Sequence, residues 1–496
     1  MRSILAGLDT EYGLAVEGRG AEDQIDDAEA LIRSYPDERF LGWDYRFESP
    51  RRDLRGFDLE RLASDPVDAA FDKGRAPTVD QRADLVLVNG ARLYNDHGHP
   101  EYATPECWSL RELALHDMAG DRTMLLAASA FEVQTGRSAR LFKNNTDFHG
   151  ASYGTHESYL VPRSVPVEQL IRGLLPLFVA RQVLCGAGKV GSDSGSRCEY
   201  QMSQRADFFV DSVSAETLYK RPIFNTRDEP HADVRQWMRL HVICGESNRI
   251  PSAVTRKVGL VKLALASIVE GIAPEWDLSS PVESVQAVSR SCDEEGRVEL
   301  ASGWTTPREI LESYFAAAEP YIDSWFAADI ANELTQVVSD CRTLLADRFE
   351  RSGEFARKVD WAAKLQQLRS FADAEGTGWK EPAMQSIDLA YHELGGQDAL
   401  FPALVEADVV EAMPDDGEVE VRMRSTFEYS RAFARGLAVR DYREELAGVS
   451  WGNLRFQLGD GIRDVSLDPS KKYPDELQRC KSVEEFISLL EDVSRT

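Results

Sequence analysis

The segment 89–106 holds an unusual concentration of side chains that could do chemistry. It contains one arginine, two tyrosines, two histidines and three carboxylates: Arg92, Tyr94, Tyr102, His97, His99, Asp96, Glu101 and Glu106. The apolar run Leu85–Val88 precedes it and predicts a buried strand. Polar groups at the end of a buried strand cost free energy unless they bind something. The segment therefore predicts one half of a site for a metal-bound nucleotide.

A second candidate group lies near the N-terminus, where the apolar run Ile4–Leu8 is followed by Asp9 and Glu11. Residues two apart on a strand project from the same face, so both carboxylates would point the same way. Adjacent carboxylates repel each other unless one is protonated or a cation lies between them, and oxygen ligands suit magnesium. We expect this strand to lie beside the segment that ends at Tyr102 and to complete the metal site. The alternative is an exposed strand end with two solvated acids.

The composition indicates a globular enzyme with an acidic surface. The chain has 496 residues, 57 Lys and Arg against 84 Asp and Glu, a formal net charge of −27 and 43% apolar residues. This length can bury one large core and a smaller one. So negative a charge argues against nucleic acid and anionic membranes as partners. The seven cysteines are scattered and include no C-x-x-C pair, which predicts reduced thiols. The sequence shows no signal-like segment and no apolar run of membrane length, so we expect a cytoplasmic protein.

Connections and helices can be placed coarsely. Residues 42–82 are polar, charged and irregular, which predicts a functional or mobile loop; the alternative is a tolerated surface insertion. Helical spacing of apolar residues covers 110–132 and 255–272. Thr306, followed by proline and then glutamate two residues later, predicts a helix start. Further helices are expected to about residue 373.

The last seventy or so residues mix strand and helix patterns. Strands are predicted at Val419–Met423 and Asn453–Leu458, and a helix at Val483–Leu490. We predict that residues 1–425 form the catalytic domain and that 426–496 form a small C-terminal domain.

The middle of the chain offers two further histidines with more than one interpretation. His156 stands beside Glu157 in an alternating segment, so only one of the two can face the core. His241 heads an apolar strand, where a lone histidine is more often a core residue than a ligand. The sequence has no G-x-S-x-G, C-x-x-C or H-E-x-x-H motif, so serine hydrolase, thiol redox and zincin chemistry lack support.

These residues belong to ordered motifs that resemble the family of Pup ligases and depupylases, relatives of glutamine synthetase. The motifs run from Asp9 to Trp451 and read D-T-E-Y-G, N-G-A-R-L-Y-N-D, H-P-E-Y-A-T-P-E, K-N-N-T-D, Y-G-T-H-E-S-Y, G-A-G-K-V, S-Q-R-A-D, N-T-R-D-E-P-H-A-D and R-L-H-V-I. Within the family the chain is most similar to the depupylase branch, the deamidases of Pup. Trp43–Leu59 resembles an insertion that ligases lack, and the spacing from Asp96 to His99 is the shorter depupylase form.

The resemblance implies a fold, cofactors and residue roles. The fold is α+β, a glutamine synthetase-like curved antiparallel sheet packed with helices plus a small C-terminal domain. The cofactors are ATP (or ADP plus phosphate) and magnesium. Carried over position by position, magnesium would be bound by Asp9, Tyr94 and Glu101, with Glu11, His156 and His241 as further ligand candidates. Likewise, ATP would contact Arg92, Thr104 and Trp451, and its phosphates would be held by Arg205 and Arg227. The catalytic aspartate would be Asp96.

The implied activity is depupylation: hydrolysis of the isopeptide bond between Pup and a substrate lysine, and deamidation of the C-terminal glutamine of Pup. The implied partners are Pup, or a Pup-like small acidic protein, and pupylated proteins. Alternatives are a carboxylate–amine ligase that works through an acyl phosphate, and a degenerate relative that only binds Pup or nucleotide. Asp9 stands where the family usually has glutamate. Its side chain is one methylene shorter, so either the magnesium ion or the strand must shift.

Overall fold

The computed structural model describes residues 4–60, 80–147, 152–195, 197–217, 220–349, 353–459 and 461–495. Part of the predicted 42–82 connection, residues 61–79, lies outside the described residues. Within the described ranges, no helix combines the length and the apolar character needed to cross a bilayer.

The strands are short and spread over the whole chain. They are β1 (Ala6–Glu11), β2 (Gly13–Val16), β3 (Arg39–Leu41), β4 (Leu85–Leu87), β5 (Arg92–Asp96), β6 (His99–Ala103), β7 (Ala139–Phe142), β8 (Thr155–Pro162), β9 (Lys189–Val190), β10 (Tyr200–Gln201), β11 (Phe209–Ser214), β12 (Arg221–Asn225), β13 (Trp237–Val242), β14 (Val298–Leu300), β15 (Gly303–Thr305), β16 (Leu446–Val449), β17 (Asn453–Leu458) and β18 (Gly461–Ser466).

The helices fill most of the remaining described chain. They are α1 (Gln24–Arg33), α2 (Leu110–Thr135), α3 (Val167–Ala180), α4 (Gln182–Cys185), α5 (Pro251–Val269), α6 (Pro281–Ser289), α7 (Pro307–Ala318), α8 (Ile322–Trp325), α9 (Ala328–Asp347), α10 (Glu354–Lys358), α11 (Asp360–Glu375), α12 (Pro382–His392), α13 (Leu400–Glu406), α14 (Asp416–Arg424), α15 (Arg431–Asp441) and α16 (Val483–Arg495). The helix start at Thr306 is confirmed as a capping box with Glu309.

A central antiparallel sheet organises the first half of the sequence. In the described residues seven strands follow the order β13-β8-β1-β6-β5-β4-β3, and each neighbouring pair is antiparallel. β1 lies between β6 and β8, with Glu11 opposite Glu101 and Asp9 opposite His156. The predicted α+β class, and the predicted pairing of the first strand with the segment that ends at Tyr102, are confirmed.

The sheet separates an apolar layer from a polar one. Helices α2, α3 and α5 cover one face, where strand residues such as Leu8 and Val161 share a core with Leu113, Leu177 and Val261. Burial of each such side chain stabilises the fold by about 1.5–3 kcal/mol relative to its exposed state. Because side chains alternate along each strand, the opposite face remains available for polar groups.

Strand β8 shows which of two adjacent polar residues faces the helices. Glu157 is fully buried on the helical side, where Arg181 pairs with it at 2.6 Å and Tyr159 donates to it. His156 therefore points to the opposite face. The ion pair with Arg181 lets a carboxylate occupy the core position, since a buried charge is tolerated when it is paired.

The C-terminal residues form a second apolar core that joins the sheet. Phe433 and Leu437 of α15 pack with Phe456 of β17, and Val86 of β4 belongs to the same cluster. Helix α15 approaches the turn after β4 so closely that a Cβ on Gly90 would lie 2.3 Å from the carbonyl oxygen of Ala432. The boundary between domains at 425/426 stays a prediction.

One strand prediction near the C-terminus is wrong. Residues 419–423 lie inside helix α14, which Asp415 caps at its N-terminus by accepting from the Gly417 N–H. The alternation of valine and methionine is typical of a strand, but here Val419 packs on α2 while Val421 is exposed. The cap and the contact with α2 outweigh the weak strand preference of the valines.

Candidate functional site

A cavity of about 420 Å³ lies on the face of the sheet opposite the helices. Its walls come from β1, β5, β6, β8 and β13, from the segments around residues 48–50 and 227–231, and from the C-terminal part of the chain. The ionisable residues that line it are Asp9, Glu11, Glu48, Arg82, Arg92, Tyr94, Asp96, His97, Glu101, Glu106, Tyr153, His156, Tyr159, Arg205, Arg221, Arg227, Glu229, His231, Arg239, His241 and Arg431. The structure thus brings together, around one cavity, all the residues to which the sequence analysis gave a metal, nucleotide or catalytic role.

Three carboxylates form a compact group at one end of the cavity. One carboxylate oxygen each of Glu11, Asp96 and Glu101 lie within 4.8 Å of one another. Antiparallel pairing produces this group, because Glu11 is opposite Glu101 and Asp96 ends the neighbouring strand. The Tyr94 hydroxyl donates to Glu101 at 2.5 Å. Three hard oxygen donors from three strands suit a divalent cation.

Two acids of this group, Glu11 and Glu101, have raised pKa values. Burial raises the pKa of Glu11 to about 7, and the negative charge of Asp96 adds to the effect. Burial, together with the charges of Asp96 and Glu11, also holds the pKa of Glu101 well above its usual range. A cation among these carboxylates would lower the pKa of both Glu11 and Glu101, since it stabilises their charged forms.

Asp9 lies at the edge of this group rather than within it. Its carboxylate is 3.6 Å from Arg239 Nη2 and accepts from the Ser158 hydroxyl at 3.4 Å. The resemblance assigned Asp9 to magnesium, and the structure gives it an arginine neighbour instead. Its metal role stays a prediction.

Two neutral histidines complete the surroundings of the acid group. The rings of His156 and His241 meet edge to face at 5.2 Å, and His156 Nε2 lies 3.9 Å from Glu11. Burial, helped by nearby arginines, lowers the pKa of both imidazoles well below the usual value. The Nδ1 atom of His241 is buried and accepts from no described residue. A buried nitrogen without a partner at a cavity wall fits a ligand position.

Arginines occupy the rest of the cavity. The Arg92 guanidinium lies 4.0 Å from the ring centroid of Trp43 and 3.9 Å from that of Tyr94. Arg205 is almost fully buried, and its Nη1 donates to the Ile243 carbonyl. Burial, and the positive charge of Arg221, lower its pKa to about 10. Rigidly held guanidinium groups are the usual partners of phosphate oxygens.

Thr104 and Trp451 are also at the cavity wall. The Thr104 hydroxyl oxygen accepts from the Leu8 N–H at 3.0 Å, which ties the end of β6 to β1. Trp451 meets Trp43 edge to face, with ring centroids 5.1 Å apart. The cavity therefore combines an acidic end, a basic wall and aromatic surfaces, as a metal-bound nucleotide requires.

The described part of the 42–82 connection packs against the cavity. Arg227 Nε donates to the Pro50 carbonyl at 3.1 Å, and the Ser49 N–H donates to Glu229 at 2.8 Å. Asp53 is fully buried and accepts from the Thr226 hydroxyl at 2.6 Å. Residues 48–53 therefore form part of the wall that holds Arg227.

Several cavity residues were not selected from the sequence. Arg239 lies two positions before His241 on β13, and this spacing puts both on the same face, a signal that was available. Arg221 and Arg431 carried no such signal, and Glu106 belonged to the segment 89–106 but received no role. Their partners come from distant parts of the chain, and one sequence shows no such pairing.

Comparison with known proteins agrees with this geometry. The family model described as "Pup-ligase protein" matches residues 4–455. A depupylase of Acidothermus cellulolyticus is 37% identical over 98% of both chains. A Pup deamidase/depupylase of Mycobacterium tuberculosis is 34% identical over 99% of both chains. The structure of the Pup ligase PafA in complex with ADP superposes with a TM-score of 0.73 at 29% identity, over 88% of this chain and 96% of that one.

Proposed function

The chain belongs to the Pup-ligase family, and from this premise we propose that it is an ATP- and magnesium-dependent depupylase. It hydrolyses the isopeptide bond between Pup and substrate lysines and deamidates the C-terminal glutamine of Pup. One observation carries the proposal: Asp96, 35% exposed, stands at the acid group of a cavity that suits a metal-bound nucleotide. Relatives named depupylases also match nearly the whole chain. Its partners are Pup and pupylated proteins, and its seven free cysteines fit the cytoplasm.

The residues fit the two cofactors. Glu11 and Glu101 would be the carboxylate ligands of magnesium, with Tyr94, His156, His241 and Asp9 as further candidates around them. Arg92, Thr104 and Trp451 would contact ATP, and Arg205 and Arg227 would hold its phosphates. When bound, the metal–phosphate unit supplies positive charge that stabilises a developing oxyanion.

Asp96 provides the reacting carboxylate by one of two routes. In direct attack, its oxygen bonds to the isopeptide carbonyl carbon, and the C–N bond breaks as the lysine nitrogen takes a proton from water. Water then hydrolyses the anhydride and regenerates the Asp96 carboxylate. In the other route Asp96 takes a proton from the attacking water. Hydroxylamine separates the routes. If the acyl product partitions between water and hydroxylamine while the rate of amine release stays constant, an acyl intermediate exists and Asp96 attacks directly.

The decisive experiment uses a purified Pup–lysine conjugate with ATP and magnesium. The proposal requires release of free Pup and free lysine amine without net ATP consumption. A ligase would instead consume one ATP for each bond formed from Pup ending in glutamate. Conjugate formation with stoichiometric ATP use, and no cleavage under any nucleotide condition, would contradict the proposal.

Magnesium should stabilise the protein more at high pH than at low pH. Between about pH 4.5 and pH 7 folded Glu11 keeps a proton that the unfolded chain has lost, so the ion-free protein loses stability as pH rises. The cation binds the ionised carboxylates and removes this loss. The gain in Tm on adding magnesium should therefore be larger at about pH 8 than at about pH 5.5. Glu11→Gln should weaken this dependence, and equal gains at both pH values in the unmodified protein would refute it.

A further inference from the structure

A buried carboxylate joins the sheet to helix α15. Glu106, just after β6, accepts from Arg431 Nε at 2.6 Å through one oxygen and from Arg435 Nη2 at 2.6 Å through the other. The Ser430 hydroxyl donates to its backbone carbonyl at 3.0 Å. Arg435 is fully buried and the Arg431 side chain is 7% exposed. Both carboxylate oxygens are thus occupied by fixed charged donors, which suits Glu106 to hold other groups in place.

The two arginines continue from Glu106 to the nucleotide side of the cavity. Arg435 Nη1 donates to the Trp451 carbonyl at 3.1 Å, and its guanidinium lies 4.8 Å from the Trp451 ring centroid. Arg431 Nη1 donates to the His231 carbonyl at 2.5 Å. His231 has a left-handed backbone, with φ of 50°, which is uncommon for a residue other than glycine. One carboxylate therefore determines the position of two backbone segments at the cavity wall.

Arg435 also anchors this arrangement to the sheet itself. Its Nε donates to the Gly90 carbonyl at 2.8 Å, in the turn between β4 and β5. Burial alone would raise the pKa of Glu106, but the charges of Arg435 and Arg431 outweigh it and lower that pKa to about 2. Glu106 therefore stays ionised at neutral pH, and its two arginines keep their charged partner.

We propose that Glu106 is a positioning residue of the nucleotide site. It acts through Arg431 and Arg435, which fix the backbone of His231 and the ring of Trp451 against the sheet. It does not touch the reacting atoms. The inference rests on the proposed function only in taking a nucleotide as the cavity's ligand.

The test is Glu106→Gln in the full chain, with ADP and ATP binding measured by calorimetry and cleavage measured on a Pup–lysine conjugate. We expect the Kd for either nucleotide and the KM for ATP to rise about tenfold, the scale of one lost hydrogen bond or ring contact. At saturating ATP, kcat should change less than about threefold. Glu106→Asp keeps the charge and should recover part of the affinity.

Asp340→Asn is the matched control. Asp340 also binds two cations, Arg256 at 2.8 Å and Lys358 at 2.9 Å, and lies outside the cavity wall. The Asp340→Asn variant should have a lower Tm, as the Glu106→Gln variant does, but an unchanged nucleotide Kd. Equal losses of Tm in the two variants, with unchanged Kd in both, would overturn the positioning role.

A second variant covers the case in which Glu106→Gln does not fold. Arg435→Lys keeps a cation beside Glu106 but removes the fork that reaches Trp451, and it should raise the nucleotide Kd by a similar factor. An unchanged Kd in a folded Arg435→Lys protein would overturn the proposal. An unmodified protein that binds nucleotide but cleaves no Pup conjugate would contradict the proposed function and leave this inference standing.

Discussion

Asp96→Asn should lower the rate of isopeptide cleavage by about 100- to 10,000-fold, the range that a lost acid–base group usually costs. Asparagine has nearly the same shape, but it can neither take a proton from water nor attack a carbonyl at neutral pH. Because Asp96 raises the pKa of Glu11 and Glu101 by repulsion, its removal does not cost the acid group stability. Single-turnover cleavage of a Pup–lysine conjugate at saturating ATP and magnesium measures the effect.

Two controls belong to the Asp96 experiment. Nucleotide Kd should stay within about threefold of the unmodified value, which shows that the cavity is intact. Asp293→Asn changes an exposed aspartate that pairs with Arg369 away from the cavity, and should leave the rate unchanged. Cleavage by Asp96→Asn as fast as that of the unmodified enzyme, on conjugates and on Pup ending in glutamine, would show that Asp96 is not the reacting group.

Glu101→Gln should weaken magnesium binding by at least about 100-fold, since Glu101 is a proposed direct ligand, and even outer partners of metal sites are worth 10- to 100-fold. Glu101 is the centre of the acid group: it faces Glu11 across the strand pair and accepts from Tyr94. Magnesium titrations of conjugate cleavage and of Tm in the presence of ADP measure the change. Chelation of all divalent ions should stop cleavage by the unmodified enzyme, and added magnesium should restore it.

Tyr94→Phe should weaken magnesium binding less than Glu101→Gln does. It removes the hydroxyl that donates to Glu101 but keeps the ring beside Arg92, so the loss in magnesium affinity should be about tenfold. A half-saturating magnesium concentration that is the same in Glu101→Gln, Tyr94→Phe and the unmodified protein would place the cation elsewhere.

The local patterns of the sequence were sufficient to locate the centre of the site. Asp9 and Glu11 alternate on a short apolar strand, and Tyr94, Asp96 and Glu101 follow another, so both segments could be identified as strands that end in polar groups. The need of adjacent carboxylates for a cation then led to the prediction that the two strands are neighbours, and the structure confirms this, with Glu11 opposite Glu101. Their roles toward metal and nucleotide stay predictions.

What the sequence could not show depends on contacts between distant residues. The alternation around residue 156 predicts that one of His156 and Glu157 faces the core, but only Arg181 decides that it is Glu157. The ion pairs of Glu106 involve partners more than 300 residues away. The error at 419–423 has the same origin, because the contact of Val419 with α2 is invisible in a single sequence.

The pairing of β1 has a consequence for the order in which the protein can assemble. Strand β1 leaves the ribosome before both of its neighbours, residues 99–103 and 155–162, and the latter pairs in turn with 237–242. Closing such long loops costs conformational entropy, and this cost is offset only when the strands have paired. A nascent chain that does not yet extend to residue 242 therefore lacks the completed sheet that carries the cavity. If magnesium protects β1 of a nascent chain from hydrogen exchange, synthesis has passed that point.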